Sequence, residues 1–162
     1  MSAVISTCGR YRYRLERDIA LFGRVAAVVM VNPSTADAET NDATIRRIIG
    51  FGERLGWSRV IVGNVFAYRA TDIRMLASAA DPVGPDNSAH LTAILREAEI
   101  TIVAWGTLSK LPPALRGEWR TVSEIAAADG VPLKCFGMVT DGHPRHPLML
   151  KYDLDLADWQ SP

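Results

Sequence analysis

The sequence predicts an α/β fold: a three-layer α-β-α sandwich with a mainly parallel four-stranded central sheet plus an N-terminal edge strand. Four short apolar runs recur along the chain, and segments with helical periodicity separate them. This alternation is typical of β-α-β crossovers. The length of 162 residues suits one core, and no repeat, linker or low-complexity segment divides the chain. We therefore expect a single α/β domain over residues 1–162.

The first predicted strand lies at residues 10–19. Tyr11, Tyr13 and Leu15 alternate there with arginines. A period of two predicts a half-exposed strand with the tyrosines and leucine on one side and the arginines on the other. We expect this strand to form the edge of the sheet or one arm of a hairpin.

The four apolar runs predict the strands of the central sheet. Each is short and continuous, as expected of strands that helices cover on both faces. They lie at residues 25–31, 59–66, 100–105 and 133–138.

The predicted helices lie between these strands and carry capping residues or terminal glycines. They run from a cap at Asn41 or Asp42 to Gly56, from a cap at Asp86 or Asn87 to about Ala98, and through Trp119 to Gly130, with a short helix at residues 73–80.

Composition and charge restrict the function. Eighteen basic and eighteen acidic residues, with a pI near 6.8, produce no overall field that would attract nucleic acid or an anionic membrane. A polyanion must therefore be held locally. No segment has the length of a spanning helix or the pattern of a signal peptide, so we expect a cytoplasmic protein without a membrane partner.

The two cysteines, Cys8 and Cys135, lie far apart in the sequence. Their apolar or small neighbours favour reduced, buried thiols, with a disulfide as the alternative. Two cysteines exclude a four-cysteine iron–sulfur cluster, and we expect no cofactor.

Every apolar run is followed by polar residues. In open parallel sheets, ligands bind beyond the carboxyl ends of the strands. Four polar segments are therefore expected to meet at one edge of the sheet: NPSTAD, NVFAYRATD, WGTLSK and GHPRHPL.

Three residues in the first two of these segments are candidate ligand-binding residues. Asn32 follows its strand directly and can hold a water or a base edge, although Asn-Pro is also a common turn. Asn64 interrupts an apolar run, so its buried amide either serves a ligand or bonds to neighbouring backbone. Arg69 follows the same strand and could contact phosphate, or simply be solvated.

The segment GHPRHPL contains His143, Arg145 and His146 in a loop that prolines stiffen. The same prolines prevent the helical spacing that would align two histidines on a metal, so we expect no metal site. A rigid loop limits the entropy lost on binding. We therefore favour a hydrogen-bonding, acid or electrostatic role for the pair, with surface histidines in a turn as the alternative.

Read together, the motifs VNPSTAD, VIVGNVFAYRATD, ITIVAWG and GHPRHPL resemble those of the uracil-DNA glycosylase superfamily, in the same order. The similarity covers residues 25–150. NPSTAD, NDATIRR, NVFAYRATD, DPVGPDN and GHPRHPLML are closer still to the bacterial proteins grouped as domain of unknown function 1643. That resemblance covers nearly the whole chain but implies no established activity.

The glycosylase resemblance implies a role for each matching residue. Asn32 would position the attacking water, Asn64 would read the flipped base, and Leu148 would fill the vacated stack. His143 or His146 would stabilise the departing base, because GHPRHPL is one residue longer than the family motif. Arg145, where the family has serine, and Arg69 would contact phosphate.

The expected function is therefore hydrolysis or binding of a base or nucleoside in DNA, RNA or a nucleotide. A non-catalytic nucleic-acid or nucleotide-binding module is the first alternative. A hydrolase or transferase of small phosphorylated metabolites is the second.

Overall fold

A seven-stranded mixed sheet forms the centre of the fold, in a computed structural model that describes residues 1–162. The strand order is β1-β2-β4-β3-β5-β6-β7. Strand β3 pairs in parallel with β4 and β5, and β5 pairs in parallel with β6; the remaining pairs are antiparallel. The strands are β1 (Ser2–Ile5), β2 (Arg12–Asp18), β3 (Arg24–Met30), β4 (Trp57–Asn64), β5 (Ile100–Val103), β6 (Leu133–Cys135) and β7 (Ala157–Asp158).

Three α-helices connect the parallel strands: α1 (Ala43–Leu55), α2 (Asn87–Glu97) and α3 (Arg120–Ala128). Helix α1 is capped as predicted, since Oδ1 of Asp42 accepts a hydrogen bond of 2.8 Å from the Ile45 N–H. It ends at Gly56, whose φ of 71° is the left-handed conformation that glycine adopts without strain. Three short 3-10 helices lie at Ile73–Ser78, Pro113–Leu115 and Pro147–Met149.

Apolar side chains pack on both faces of the sheet. Ala27 and Val29 of β3 belong to one core cluster, with residues of α2 and α3. Val28 and Met30 belong to a second cluster, with residues of α1. Successive side chains of a strand point to opposite faces, so β3 is buried from both sides. Its continuous apolar sequence follows from this position.

The α/β class predicted from the sequence is confirmed, but the sheet is larger than expected. It has seven strands, because β1 and β7 were not predicted. Both are short and partly or fully exposed, so they lack the apolar pattern that marks a strand. The predicted strand at residues 10–19 does lie in a hairpin, with β1. It is not itself an edge, since β1 and β7 occupy the two edges.

The arginines of β2 do not all face solvent as predicted. Arg12 is 2% exposed and Arg17 is 1% exposed. Arg17 is covered by the loop after β3, because its guanidinium donates to Asn41 Oδ1 at 2.6 Å and to the Thr40 carbonyl at 3.2 Å. The carbonyl of Ala36 in the same loop accepts from Arg12 at 2.7 Å. Alternation identifies the two sides of a strand but not what covers them.

Both cysteines are free thiols. Cys135 is buried as predicted, whereas Cys8 is exposed, because it lies in the tight turn between β1 and β2. No helix combines the length and the apolar character needed to cross a membrane.

Candidate functional site

The loops that follow β3, β4 and β6 meet at one edge of the sheet and enclose a cavity of about 250 Å³. We call it the central cavity. Arg12 of β2 and Asp42 before α1 also contribute to its wall. The lining side chains that could act on a ligand are Arg12, Asn32, Asp42, His146 and Leu148. The sequence prediction that polar strand ends converge is thus met by Asn32 and His146, although 114 positions separate them.

The carboxamide of Asn32 is held in one orientation. Its Nδ2 donates to the Ala70 carbonyl at 2.7 Å and to the Pro33 carbonyl at 3.0 Å. Both acceptors are carbonyl oxygens, so they fix Nδ2 as the atom that faces them. Oδ1 makes no hydrogen bond within the chain, so it is available as an acceptor for a ligand or water in the central cavity.

His146 presents a hydrogen-bond donor. Its Nδ1 accepts a hydrogen bond of 3.3 Å from the Leu148 N–H, so the neutral imidazole carries its proton on Nε2. Burial lowers the pKa of His146, with a smaller opposing effect from Asp42, and the neutral form therefore dominates at pH 7. Gly106 permits this placement, since a Cβ there would lie 3.0 Å from the His146 Cβ.

His143 lies elsewhere. Its Nδ1 accepts a hydrogen bond of 3.4 Å from Trp105 Nε1, and its ring meets Trp119 edge-on at 5.4 Å between centroids. It does not line the central cavity. The spacing of GHPRHPL left the two histidines equivalent, and the structure separates them: His146 lines the central cavity with Asn32, and His143 packs on tryptophans.

Asn64 is 1% exposed and lies behind the wall of the central cavity rather than in it. Its Oδ1 accepts a long hydrogen bond of 3.4 Å from Arg12, and its Nδ2 has no partner in the chain. The Asn87 Nδ2 donates to the Asn64 carbonyl at 3.0 Å. Asn64 therefore contacts the cavity through Arg12.

Arg12 is the cavity residue that sequence reasoning missed. Burial is the main cause that lowers its pKa to about 10, so it remains charged at neutral pH. No carboxylate lies within 4 Å of it, and its Nε has no partner. A buried, unpaired guanidinium is costly and is usually kept for a binding role. The sequence offered no signal for it, because Arg12 fits the alternation that predicted an arginine side of the strand.

Asp42 was recognised from the sequence only as a helix cap. One of its oxygens has that role, and the other makes no hydrogen bond within the chain. It is the carboxylate that lines the central cavity. No three His, Cys, Asp or Glu side chains lie close enough together to hold a metal ion.

The remaining predicted residues are distributed around this cavity. Leu148 lines it. Arg69 lies beside it, in a neighbouring cavity that shares Ser34 with the first. Arg145 is exposed and lines a separate depression with Met149 instead. The structure thus brings Asn32, His146 and Leu148 together, leaves Asn64 and Arg69 adjacent, and separates His143 and Arg145.

The half-buried imidazole of His146 predicts a pH dependence of stability. The unfolded chain binds a proton at His146 near pH 6.5, whereas the folded chain binds it only at lower pH because burial lowers the pKa. The free energy of unfolding should therefore fall as the pH drops from about 7.5 to 5.5.

We expect His146→Asn to reduce this slope, measured by urea denaturation at several pH values, because asparagine keeps an acceptor for the Leu148 N–H but does not titrate. His143→Asn is the control. An unchanged slope in His146→Asn would show that the imidazole is solvated and not buried.

Comparison with known proteins confirms the resemblance to the domain of unknown function 1643 and gives no match to uracil-DNA glycosylases. The model of the family described as "Protein of unknown function (DUF1643)" matches residues 12–148, which include every residue of the central cavity. No curated protein and no solved structure matches the chain significantly. Because the matched residues form well over half of the sequence, the chain belongs to the DUF1643 family.

Proposed function

We propose that the central cavity binds the base of a nucleoside or nucleotide and promotes hydrolysis of its N-glycosidic bond. One observation carries this proposal: two hydrogen-bond donors and two acceptors line the same small cavity. Arg12 and His146 are the donors, and Asn32 Oδ1 and the Asp42 carboxylate are the acceptors. This arrangement suits a reaction that needs a bound water on one side and an anionic leaving group on the other.

The donors would act on the departing base. When the glycosidic C–N bond breaks, its electron pair leaves with the base, and negative charge develops on the ring. A fixed guanidinium and a neutral imidazole N–H stabilise such charge without reorganisation, and the low-dielectric surroundings strengthen the effect. Arg12, at 2% exposed, and the half-buried His146 meet this requirement.

The acceptors would act on the water. Asn32 can orient a water through Oδ1 but cannot take its proton, because a carboxamide is not basic. Asp42 supplies a carboxylate at the same cavity. The water oxygen would bond to the anomeric carbon as the C–N bond breaks, and its proton would pass to Asp42.

The resemblance to uracil-DNA glycosylases supports the same chemistry, since that family places a base pocket at the ends of parallel strands. In this proposal His146, and not His143, corresponds to the histidine of the family motif. Leu148 contacts the base or its neighbour, and Asn64 holds Arg12 in place. The balanced charge of the chain favours a mononucleotide over duplex DNA, whose binding depends on many cationic contacts.

Binding without hydrolysis is the second candidate function. The neutral Asn32, at the position where many glycosylases carry a carboxylate, favours it. The two functions differ only in whether Asp42 receives a proton.

Release of free base distinguishes hydrolysis from binding without hydrolysis. We expect the protein to release base from a panel of nucleosides, 5′-monophosphates and oligonucleotides that contain uracil, hypoxanthine or alkylated bases, measured by chromatography. Asp42→Asn should lower the rate by about 10²-fold. It should leave the free energy of unfolding within about 0.5 kcal/mol, because asparagine also caps helices. Tight binding of a nucleoside with no base release would favour the second candidate, and a fully active Asp42→Asn would remove Asp42 from the mechanism.

A further inference from the structure

A second cavity of about 310 Å³ lies beside the central cavity, and we call it the Arg69 cavity. Ser34, Ala70 and Thr71 belong to the walls of both. Arg69 and Thr35 line only the second. A ligand that occupies the central cavity can therefore extend past Ser34 into the Arg69 cavity.

The arginines around these two cavities lack ion-pair partners. Five of the fifteen arginines of the chain, Arg14, Arg54, Arg59, Arg74 and Arg96, lie within 4 Å of a carboxylate, and the other ten do not. Arg12, Arg17 and Arg69 have no such contact, although they are close enough for Arg69 and Arg17 to lower the pKa of Arg12. Asp37 and Asp42 are also close enough to act on Arg12, so three positive and two negative groups meet here and leave an excess of one positive charge.

The nearest carboxylates are engaged with backbone. Asp37 Oδ1 accepts from the N–H groups of Glu39 and Thr40 at 3.0 and 2.8 Å. Asp42 caps α1. Backbone N–H groups are the main cause that lowers the pKa of Asp37, and Arg69 also contributes. Neither carboxylate forms an ion pair with Arg69 within 4 Å, so an anion from outside the chain can pair with it.

Arg69 has the fewest internal contacts of the three unpaired arginines. Its one hydrogen bond is long, 3.4 Å from Nη1 to the Gly9 carbonyl, and its buried Nε has no partner. By contrast, Arg17 donates to several carbonyls and to Asn41. Because Nε is shielded from solvent, the Nη groups of Arg69 are the donors available to a ligand.

Neighbouring groups add further donors. The hydroxyls of Ser34 and Thr35 make no hydrogen bond within the chain, and neither do their backbone N–H groups or that of Thr71. Arginine forks, hydroxyls and free N–H groups are the donors that phosphate oxygens accept.

We propose that the Arg69 cavity binds the phosphate of a mononucleotide whose base occupies the central cavity. The substrate class is then a nucleoside monophosphate, with its sugar beside Ser34, Ala70 and Thr71. The identity of the base rests on the proposed function, whereas the phosphate site is a property of Arg69, Ser34 and Thr35 alone.

Inorganic phosphate tests the site independently of any base. In ¹H–¹⁵N spectra of the whole protein at constant ionic strength, phosphate should shift the N–H resonances of Ser34 and Thr35. Arg69→Gln should abolish these shifts while the rest of the spectrum stays unchanged. Lys110→Gln is the matched control, because Lys110 lines a neighbouring cavity that shares Thr71 but contains none of Arg69, Ser34 and Thr35. No shift in the unmodified protein, or loss of the shifts in Lys110→Gln but not in Arg69→Gln, would overturn the proposal.

Calorimetry with paired nucleosides and 5′-monophosphates tests the substrate class. The monophosphate should bind about tenfold more tightly than its nucleoside, and Arg69→Gln should reduce this ratio to about one without weakening the nucleoside. Arg69→Lys, which keeps the charge, should retain part of the preference.

The two proposals fail in different ways. Phosphate shifts without nucleoside binding would keep the phosphate site and refute the base cavity. Nucleoside binding with no preference for the monophosphate would refute the phosphate site alone. Tighter binding of a single-stranded oligonucleotide than of any mononucleotide would overturn the mononucleotide class.

Discussion

Arg17→Met is expected to lower the free energy of unfolding by about 3 kcal/mol or more, whereas Arg12→Met should change it by less than about 1 kcal/mol and abolish ligand binding. Both arginines belong to β2, and both are buried. They differ in how completely the chain satisfies them, so the pair separates a structural arginine from a functional one.

Arg17 is fully used by the fold. It donates to Asn41 Oδ1 at 2.6 Å, to the Glu16 carbonyl at 2.7 Å and to the Thr40 carbonyl at 3.2 Å. Methionine would remove these hydrogen bonds from acceptors in half-buried or exposed residues, which water can partly satisfy, so the expected cost is about 1 kcal/mol for each bond. The loop after β3, which carries Asn32, would also lose one of its attachments to the sheet, while the bond from Arg12 to the Ala36 carbonyl remains.

Arg12 has a weaker set of contacts. It makes one good hydrogen bond, 2.7 Å to the Ala36 carbonyl, and one long bond of 3.4 Å to Asn64 Oδ1. The burial of its unpaired charge opposes the stabilisation from these hydrogen bonds. The same burial lowers the pKa of Arg12 to about 10. Removing that charge offsets the lost hydrogen bonds, because an uncompensated buried ion is itself destabilising.

Urea denaturation of both variants measures the free energy of unfolding, and calorimetry with nucleosides and monophosphates measures ligand binding. An equal loss of stability in Arg12→Met and Arg17→Met would mean that Arg12 only anchors the loop. The central cavity would then lose its strongest donor.

The same pair shows what the sequence could predict of the fold. Both ends of helix α1 were predicted from the sequence. Asp42 and Gly56 determine these ends through contacts with residues a few positions away, and such contacts follow from the local sequence. The burial of Arg12 and Arg17 depends instead on a loop 20 to 25 positions away that folds over them. The local alternation of polar and apolar residues does not show that a distant loop will bury one side of a strand.

The candidate site was predictable to a similar extent. Asn32 and His146 lie in motifs at strand ends, and parallel strands bring such ends together. Asp42 was hidden because its capping role explained it fully. Arg12 comes from an antiparallel strand outside the β-α-β pattern, so strand-end reasoning could not reach it.

His146→Asn is expected to reduce base release by at least about 10²-fold, the usual effect of removing one preorganised donor from developing negative charge. Asparagine retains an acceptor for the Leu148 N–H, so the 3-10 helix Pro147–Met149 keeps its cap. The asparagine side chain is too short to replace the Nε2–H donor of the histidine. The loss should therefore appear in kcat and not in the melting temperature.

His143→Asn is the matched variant, since it makes the same change three residues earlier. We expect the opposite result: a rate close to that of the unmodified protein and a loss of about 1 kcal/mol in the free energy of unfolding, as the Trp105 Nε1–H bond is weakened. If His143→Asn were instead the inactive variant, the reacting groups would have to lie against Trp105 and Trp119. Asn32 and Asp42 would then be too remote to act on the water, because neither shares a cavity with those tryptophans.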